Sequence, residues 1–418
     1  MIDYLLDWCS LLLRWLHLVA GIAWIGSSFY FVWLDNHLEP PRDPEGTDSG
    51  VAGELWAVHG GGFYRSQKYR VAPQRLPPTL HWFYWEAYTT WLSGFALLVL
   101  LYLLRAEGYL IDPSVVALSK STAIVIALSV LIASWLSYDL LCRSPLGRDA
   151  RALGAVLAAM VALLAWGLCQ LFSGRGAFLL FGASLGTIMV ANVLLVIIPG
   201  QRELVRAKRE GREPDPTPGV RAKQRSVHNT YFTLPVLFAM VSNHYAVTYG
   251  GHYNWATLIA LSFAGACIRF WFVTRHPPGG RGGWLAALPA ALAVATVVAL
   301  VAALAPAHSS RPTGQAARSG DRGATFPQER VPPGVDAAVV AAIVAQRCVP
   351  CHATQPTQAG FDAPPNGIVL ESLSELRAHL PEVQKQLALH TMPLGNLTQM
   401  TDDERAAVLL WIEHGAAH

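Results

Sequence analysis

Residues 153–172 read LGAVLAAMVALLAWGLCQLF, twenty residues with neither a charge nor a proline. A helix of about 20 apolar residues reaches across the ~30 Å hydrocarbon core of a bilayer. The run is too long for a buried strand and too uniformly apolar for a helix with one wet face. Seven more stretches of this kind flank it, at Cys9–Leu34, Trp82–Leu104, Val116–Leu140, Ala177–Ile198, Tyr231–Val247, Trp255–Val273 and Trp284–Ala305. The sixth in chain order is the shortest and contains Pro235, which makes it the least regular. The expectation is an all-α fold, an eight-helix transmembrane bundle over residues 1–305. Composition agrees: 14% of the chain is charged, where a soluble domain carries about 25%. The N-terminus shows neither a basic segment nor a small-residue cleavage site, so no removable signal peptide is expected.

Basic residues orient such a bundle, because they stay on the cytoplasmic side. The first connection holds Arg42, Arg65, Lys68, Arg70 and Arg75, and the third holds Arg143, Arg148 and Arg151. The fifth is basic from Arg202 to Arg225, and the seventh has Arg275 and Arg281. The even connections hold little beyond Arg105 and Arg175. Odd connections therefore face the cytoplasm and both termini face outward; Asp3 and Asp7 suit this, and Arg14 mildly opposes it. No inverted repeat of the transporter kind is visible, and no nucleic-acid partner is expected. Residues 306–334, rich in Pro, Gly, Ser and Arg, read as a flexible linker.

Beyond the linker lies Cys348-Val349-Pro350-Cys351-His352. Two thiols at this spacing can each add across a haem vinyl group, and the adjacent imidazole can ligate the iron. The competing readings are a redox CxxC and half a zinc site. No second CxxC exists for zinc, and a helical segment, Val335 to Arg347, precedes the motif where a thioredoxin-like motif would follow a strand. The second axial ligand is expected at Met392, in HTMPLGN at residues 390–396, where Pro393 and Gly395 force an irregular loop. Met400 is its rival, and His379 and His390 are weaker candidates. Thr401 and Glu404 form a capping box that opens a terminal amphipathic helix. Residues 335–418 thus resemble a small class I cytochrome c domain carrying one covalent haem c. Cys9, Cys142, Cys169 and Cys267 stand singly and read as buried thiols. Haem c is attached outside bacterial inner membranes, and the charge rule independently puts this tail there. The expected location is the bacterial inner membrane, multi-pass, with the cytochrome domain periplasmic.

Ionisable groups at membrane depth are costly and are functional candidates. His17, Gly21, Trp24 and Ser28 share one face of the first span, and His244 lies near the outer end of the sixth. The two histidines either ligate a b-type haem between them or each hydrogen-bonds a neighbouring helix. On the inner side lies His59-Gly60-Gly61-Gly62-Phe63-Tyr64, followed by Arg65 and Lys68. Its glycines would let backbone amides form an anion nest. His81 and Glu86 enter the second span there, and His228 enters the sixth. His59, Lys68, His81, Glu86 and His228 are the candidate catalytic residues around a planar, anionic ligand.

Four segments carry a family resemblance: HLVAGIAWIG at residues 17–26, HGGGFY at 59–64, HWFYWEAYTTW at 81–91 and HNTYFTLPVLFAMVSNHY at 228–245. With the C-terminal cytochrome motif, the chain resembles the membrane-bound urate oxidases, or urate hydroxylases, over nearly its whole length. The resemblance implies oxidation of urate to 5-hydroxyisourate in purine breakdown. Electrons would leave through the fused cytochrome to a respiratory acceptor. The alternative is a membrane-anchored cytochrome that relays electrons for a partner dehydrogenase or terminal oxidase. An inner-face substrate would lie about 30 Å from an outer haem, which is where a haem b at His17 and His244 would serve.

Overall fold

The computed structural model describes residues 2–41, 50–113, 115–251, 253–275, 287–304, 335–358, 364–388 and 390–414. The linker expected at 306–334, the opening of the eighth span at Trp284, and Arg42 and Arg281 lie outside the described residues.

Helix makes up 73% of the structure and strand 5%, so the helical class holds. The long helices of the first 304 residues are α1 (Ile2–Asn36), α2 (Trp85–Leu98), α4 (Lys120–Arg143), α5 (Ala150–Cys169), α6 (Gly174–Asn192), α7 (Ile198–Arg209), α8 (Pro216–Ser242), α10 (Asn254–Thr274) and α11 (Leu288–Leu304). Short helices α3 (Ala106–Tyr109) and α9 (Ala246–Tyr249) lie in connections. The side chains of Ser119, Asp149, Ser173 and Asp215 each accept a first-turn backbone N–H and so fix where α4, α5, α6 and α8 begin. α6 runs through a π-helical segment, Val193–Ile197, into α7, which makes one continuous apolar helix.

Among the described residues, six helices are long and apolar enough to cross a membrane: Tyr4–Asn36, Trp85–Leu103, Lys120–Arg143, Ala150–Cys169, Gly174–Arg209 and Asn254–Thr274. The two remaining expected spans differ in instructive ways. The expected sixth helix starts at Pro216 rather than Tyr231, because the helix continues through Arg221, Lys223, Arg225 and His228. Those side chains cost it the apolar signal without breaking the backbone hydrogen bonds. α11 is apolar throughout but has 17 described residues.

The all-α expectation also missed a β-hairpin. β1 (Val51–His59) pairs antiparallel with β2 (Gly62–Tyr69), with His59 opposite Gly62. Gly60 and Gly61 have φ of +57° and +81°. A two-residue hairpin turn of the type matched to strand twist needs positive φ at both central residues. The glycine run is therefore a hairpin turn, where an anion nest was expected.

The core lies around α6, whose buried residues include Phe178, Phe181, Leu185 and Ile188. α8 approaches it closely: a Cβ on Gly182 would lie 2.9 Å from the Met240 methyl. α1 packs chiefly on α2 and leaves most of its apolar surface outward. A β-carbon on Gly94 of α2 would lie 2.7 Å from His17 Cε1, so the glycine makes room for that imidazole.

The C-terminal residues build a second, separate core from α12 (Ala337–Arg347), α13 (Val349–His352), α14 (Leu373–Ala378), α15 (Leu380–Ala388) and α16 (Asp402–Glu413). Val340, Val344, Leu376, Leu387, Met400, Val408 and Trp411 fill it. The capping box read from Thr401 and Glu404 is present, and Arg347 clamps Glu404 at 2.9 Å. This unit rests on the connection between α2 and α4, where Leu397 faces Gly108 of α3.

Candidate active site

The C-terminal parts of α4 and α6 and the first half of α8 converge on a buried polar chain. Asn192 closes α6 at the step into the π-helical segment, a type of irregularity that recurs at functional sites. Asn229, on the facing turn of α8, donates its amide N–H to the Met189 carbonyl at 2.9 Å. Because that acceptor is a backbone oxygen, the Asn229 side chain has one orientation, with Oδ1 turned to Asn192 Nδ2 at 2.9 Å. Asn192 Nδ2 also donates to the Tyr138 hydroxyl at 3.0 Å. The hydroxyl hydrogen is then free to point at His228 Nδ1, 2.8 Å away. In that arrangement Nδ1 accepts, and the neutral ring carries its proton on Nε2. Cys142 Sγ stands 3.8 Å from the same Nδ1.

Two features suit this cluster to chemistry more than to stability. Asn192 is fully buried, yet its Oδ1 has no hydrogen-bond partner. A buried unpaired acceptor is costly, and here it offers a place for a ligand N–H. One turn below, Arg225 is 3% exposed, reaches Asp139 at 2.7 Å and lies over the Tyr138 ring at 4.9 Å. Its Nη1 is also unpaired. By sequence Arg225 falls in a connection expected to be cytoplasmic, and nothing local marks Tyr138, Asp139 or Asn192. Only polar residues inside otherwise apolar spans could have pointed to them.

The Arg225–Asp139 pair anchors the cluster. Asp139→Ala would leave the guanidinium buried without its carboxylate, at an expected cost of about 3–5 kcal/mol. Chemical unfolding in detergent measures this, and a loss under ~1 kcal/mol would mean that Arg225 is held by something else.

The family model for the urate oxidase N-terminal domain matches residues 3–303. The chain belongs to the urate oxidase N-terminal family. A search of curated proteins and a search of solved structures each gave no match. The membership points to oxidoreductase chemistry on urate.

In this urate oxidase family chain no hydrogen bond or ion pair joins the five candidate catalytic residues to one another among the described residues. His228 alone joins the buried chain. His59 is exposed at the end of β1. Lys68 on β2 is paired with Asp35 at 2.7 Å, and Arg65 with Glu54 at 2.6 Å, so both cations are already engaged by carboxylates. His81 is exposed and packs edge-on to Phe83 at 4.7 Å. Glu86 lies in the first turn of α2, where a carboxylate is favoured by the helix dipole whatever else it does.

His17 Nδ1 lies 2.9 Å from the Thr90 carbonyl and 3.2 Å from Ser93 Oγ, so its ring is tied to α2 and Nε2 is left free. His244 is exposed on the turn after α8, and no hydrogen bond or ring contact joins it to His17 among the described residues. In the C-terminal unit, His352 Nδ1 is 2.8 Å from the Ile368 carbonyl, which again leaves Nε2 free. Cys348 and Cys351 are unbridged thiols. Burial pushes the Cys348 thiol up to about 11 and raises Cys351 as well. A redox-active CxxC needs the opposite shift. Met392 is half-buried, and its carbonyl accepts from Arg405 at 2.6 Å; Met400 is buried in the core.

Proposed function

We propose that this chain is a membrane urate dehydrogenase: it oxidises urate to 5-hydroxyisourate and sends the electrons out through its own C-terminal haem c. The observation that carries the substrate is the family match over residues 3–303. The reaction converts urate and water into 5-hydroxyisourate, two protons and two electrons. The chain must therefore bind a flat, hydrogen-bonding anion, take up or redirect protons, and give the electrons an exit.

His228 is the proton-handling group. Its Nε2 is free to meet the purine, and Tyr138 with Asn192 behind it holds the ring and fixes its tautomer. In the resting tautomer Nε2–H donates to a urate oxygen on which charge builds. In the other neutral tautomer Nδ1–H donates to the Tyr138 hydroxyl, and Nε2 takes a proton released by urate or water, giving an imidazolium that later returns that proton to solvent. Asn192 Oδ1 takes a ring N–H. Positioned acid–base groups of this kind contribute about 10²–10⁴-fold to a rate.

The donor set at the C-terminus fits a c-type haem. His352 has the arrangement of a metal-binding imidazole, with Nδ1–H given to a backbone carbonyl and Nε2 open. Cys348 and Cys351 would hold the group covalently, and Met392, whose backbone Arg405 steadies, would join His352 in ligating its iron. When bound, the haem would accept the electrons one at a time and pass them to a respiratory acceptor. The packing of Leu397 on Gly108 supports a periplasmic cytochrome, since the charge rule puts that connection on the outer side. The whole would sit in a bacterial inner membrane with α8 and α11 as its sixth and eighth spans. A membrane haem b at His17 and His244 remains the second part of the proposal; His17 has a free Nε2 for it, and a pyridine haemochrome assay on purified protein tests it.

Adding urate to purified holoprotein should raise the reduced c-type absorbance band with no partner present. If ascorbate reduces the haem and urate does not, the chain is a relay for another dehydrogenase.

A further inference from the structure

Arg269 lies on α10, five residues before the helix ends at Thr274 on the inner side, and takes no part in the chain of residues around His228. It is 4% exposed. A surface-seeking arginine at this depth would extend its head to water, but this one points inward. Its Cζ lies 3.9 Å from the centroid of the Phe29 ring on α1, so one face of the guanidinium is covered by an aromatic. Its Nε and Nη2 are both buried and both without a hydrogen-bond partner. Those two nitrogens form a single edge of the planar group, the edge that arginine uses for bidentate recognition. No carboxylate pairs with it among the described residues. An uncompensated cation at membrane depth is costly and marks function by default. Arg269 is also within electrostatic reach of Tyr231, one turn beyond His228 on α8, so the two sites lie at one depth.

We propose that the Nε–Nη2 edge of Arg269 is the recognition site for the anionic edge of urate, with Phe29 holding the guanidinium in plane. This rests on the urate reading and assigns the charge recognition that Arg65 and Lys68, already paired, do not supply. A planar ligand presenting two in-plane acceptors, one of them anionic, fits such an edge. A phospholipid headgroup phosphate is the other source of the same chemistry, and the test separates them.

Radiolabelled urate binding to purified holoprotein, thermal unfolding and phospholipid retention are measured for wild type, Arg269→Gln, Arg269→Lys and Phe29→Leu. Arg269→Gln should raise the urate Kd about 100-fold, and Arg269→Lys should recover less than a tenth of that loss. Phe29→Leu should weaken binding several-fold. Without urate, Arg269→Gln should unfold at the same or a higher temperature, because it removes a buried charge that has no partner. Reduction of the c-type band by ascorbate should be unchanged throughout. Unchanged urate binding in Arg269→Gln overturns the proposal, as does loss of anionic phospholipid in its place. An Arg269→Gln protein that fails to fold also overturns it, since the guanidinium would then have a structural partner. If wild type itself binds no urate, the functional reading fails rather than this assignment alone.

Discussion

Replacing His228 with glutamine should lower urate-dependent reduction of the c-type band at least ~100-fold, with urate affinity changed only a few-fold. The size follows from the role: a positioned acid–base group is worth about 10²–10⁴ in rate, and glutamine can donate a hydrogen bond but cannot exchange a proton. Tyr138→Phe should have a smaller effect, about 10-fold, because it removes the hydrogen bond that sets the His228 tautomer while the imidazole stays. The two changes should not add, since both act through one ring. Stopped-flow spectroscopy of the haem band with saturating urate gives the rate directly, and ascorbate gives the control. A His228→Gln protein that turns over at more than a third of the wild-type rate would remove the imidazole from the chemistry.

The second large effect is expected at the other end of the chain. His352→Ala should abolish urate-dependent reduction, to below about 1% of wild type, while urate still binds with its normal affinity. The structural reason is the pairing of His352 Nδ1 with the Ile368 carbonyl, which leaves Nε2 as the only ring nitrogen available to iron. Met392→Ala should be milder: an altered spectrum and potential, with residual electron transfer. Binding of radiolabelled urate is the companion measurement. If His352→Ala loses urate binding as well, the C-terminal unit contributes to the substrate site, and its packing on α3 would be the first place to look.

These two experiments address groups that the sequence displayed unequally. The CxxCH motif and the Thr401–Glu404 capping box could be read directly, because each is local: its chemistry is complete within five residues. The apolar spans could be read for the same reason, since about 20 apolar residues cross a bilayer whatever their neighbours are. α8 shows where this ends. Its N-terminal half carries Arg221, Lys223, Arg225 and His228, and the apolar criterion places its start at Tyr231, where the helix in fact begins at Pro216. Polar residues that satisfy one another inside a bundle look, in one dimension, like a connection. The glycine run at 60–62 misled in the opposite direction. Positive φ serves a hairpin turn as well as an anion nest, and only the pairing of Val58 with Phe63 and of His59 with Gly62 distinguishes them.

The sequence by itself determined the helical class, six of the membrane-length helices and the urate oxidase relationship, because each depends on short spacings or on bulk apolarity. Tertiary structure alone decided which polar groups meet. It joined Tyr138, Asn192, Asn229 and His228 from three helices. It paired Lys68 and Arg65 with carboxylates and left one edge of Arg269 bare. Hydrogen bonds and ion pairs form between residues tens of positions apart, and their partners are fixed by helix packing rather than by anything written next to them in the chain.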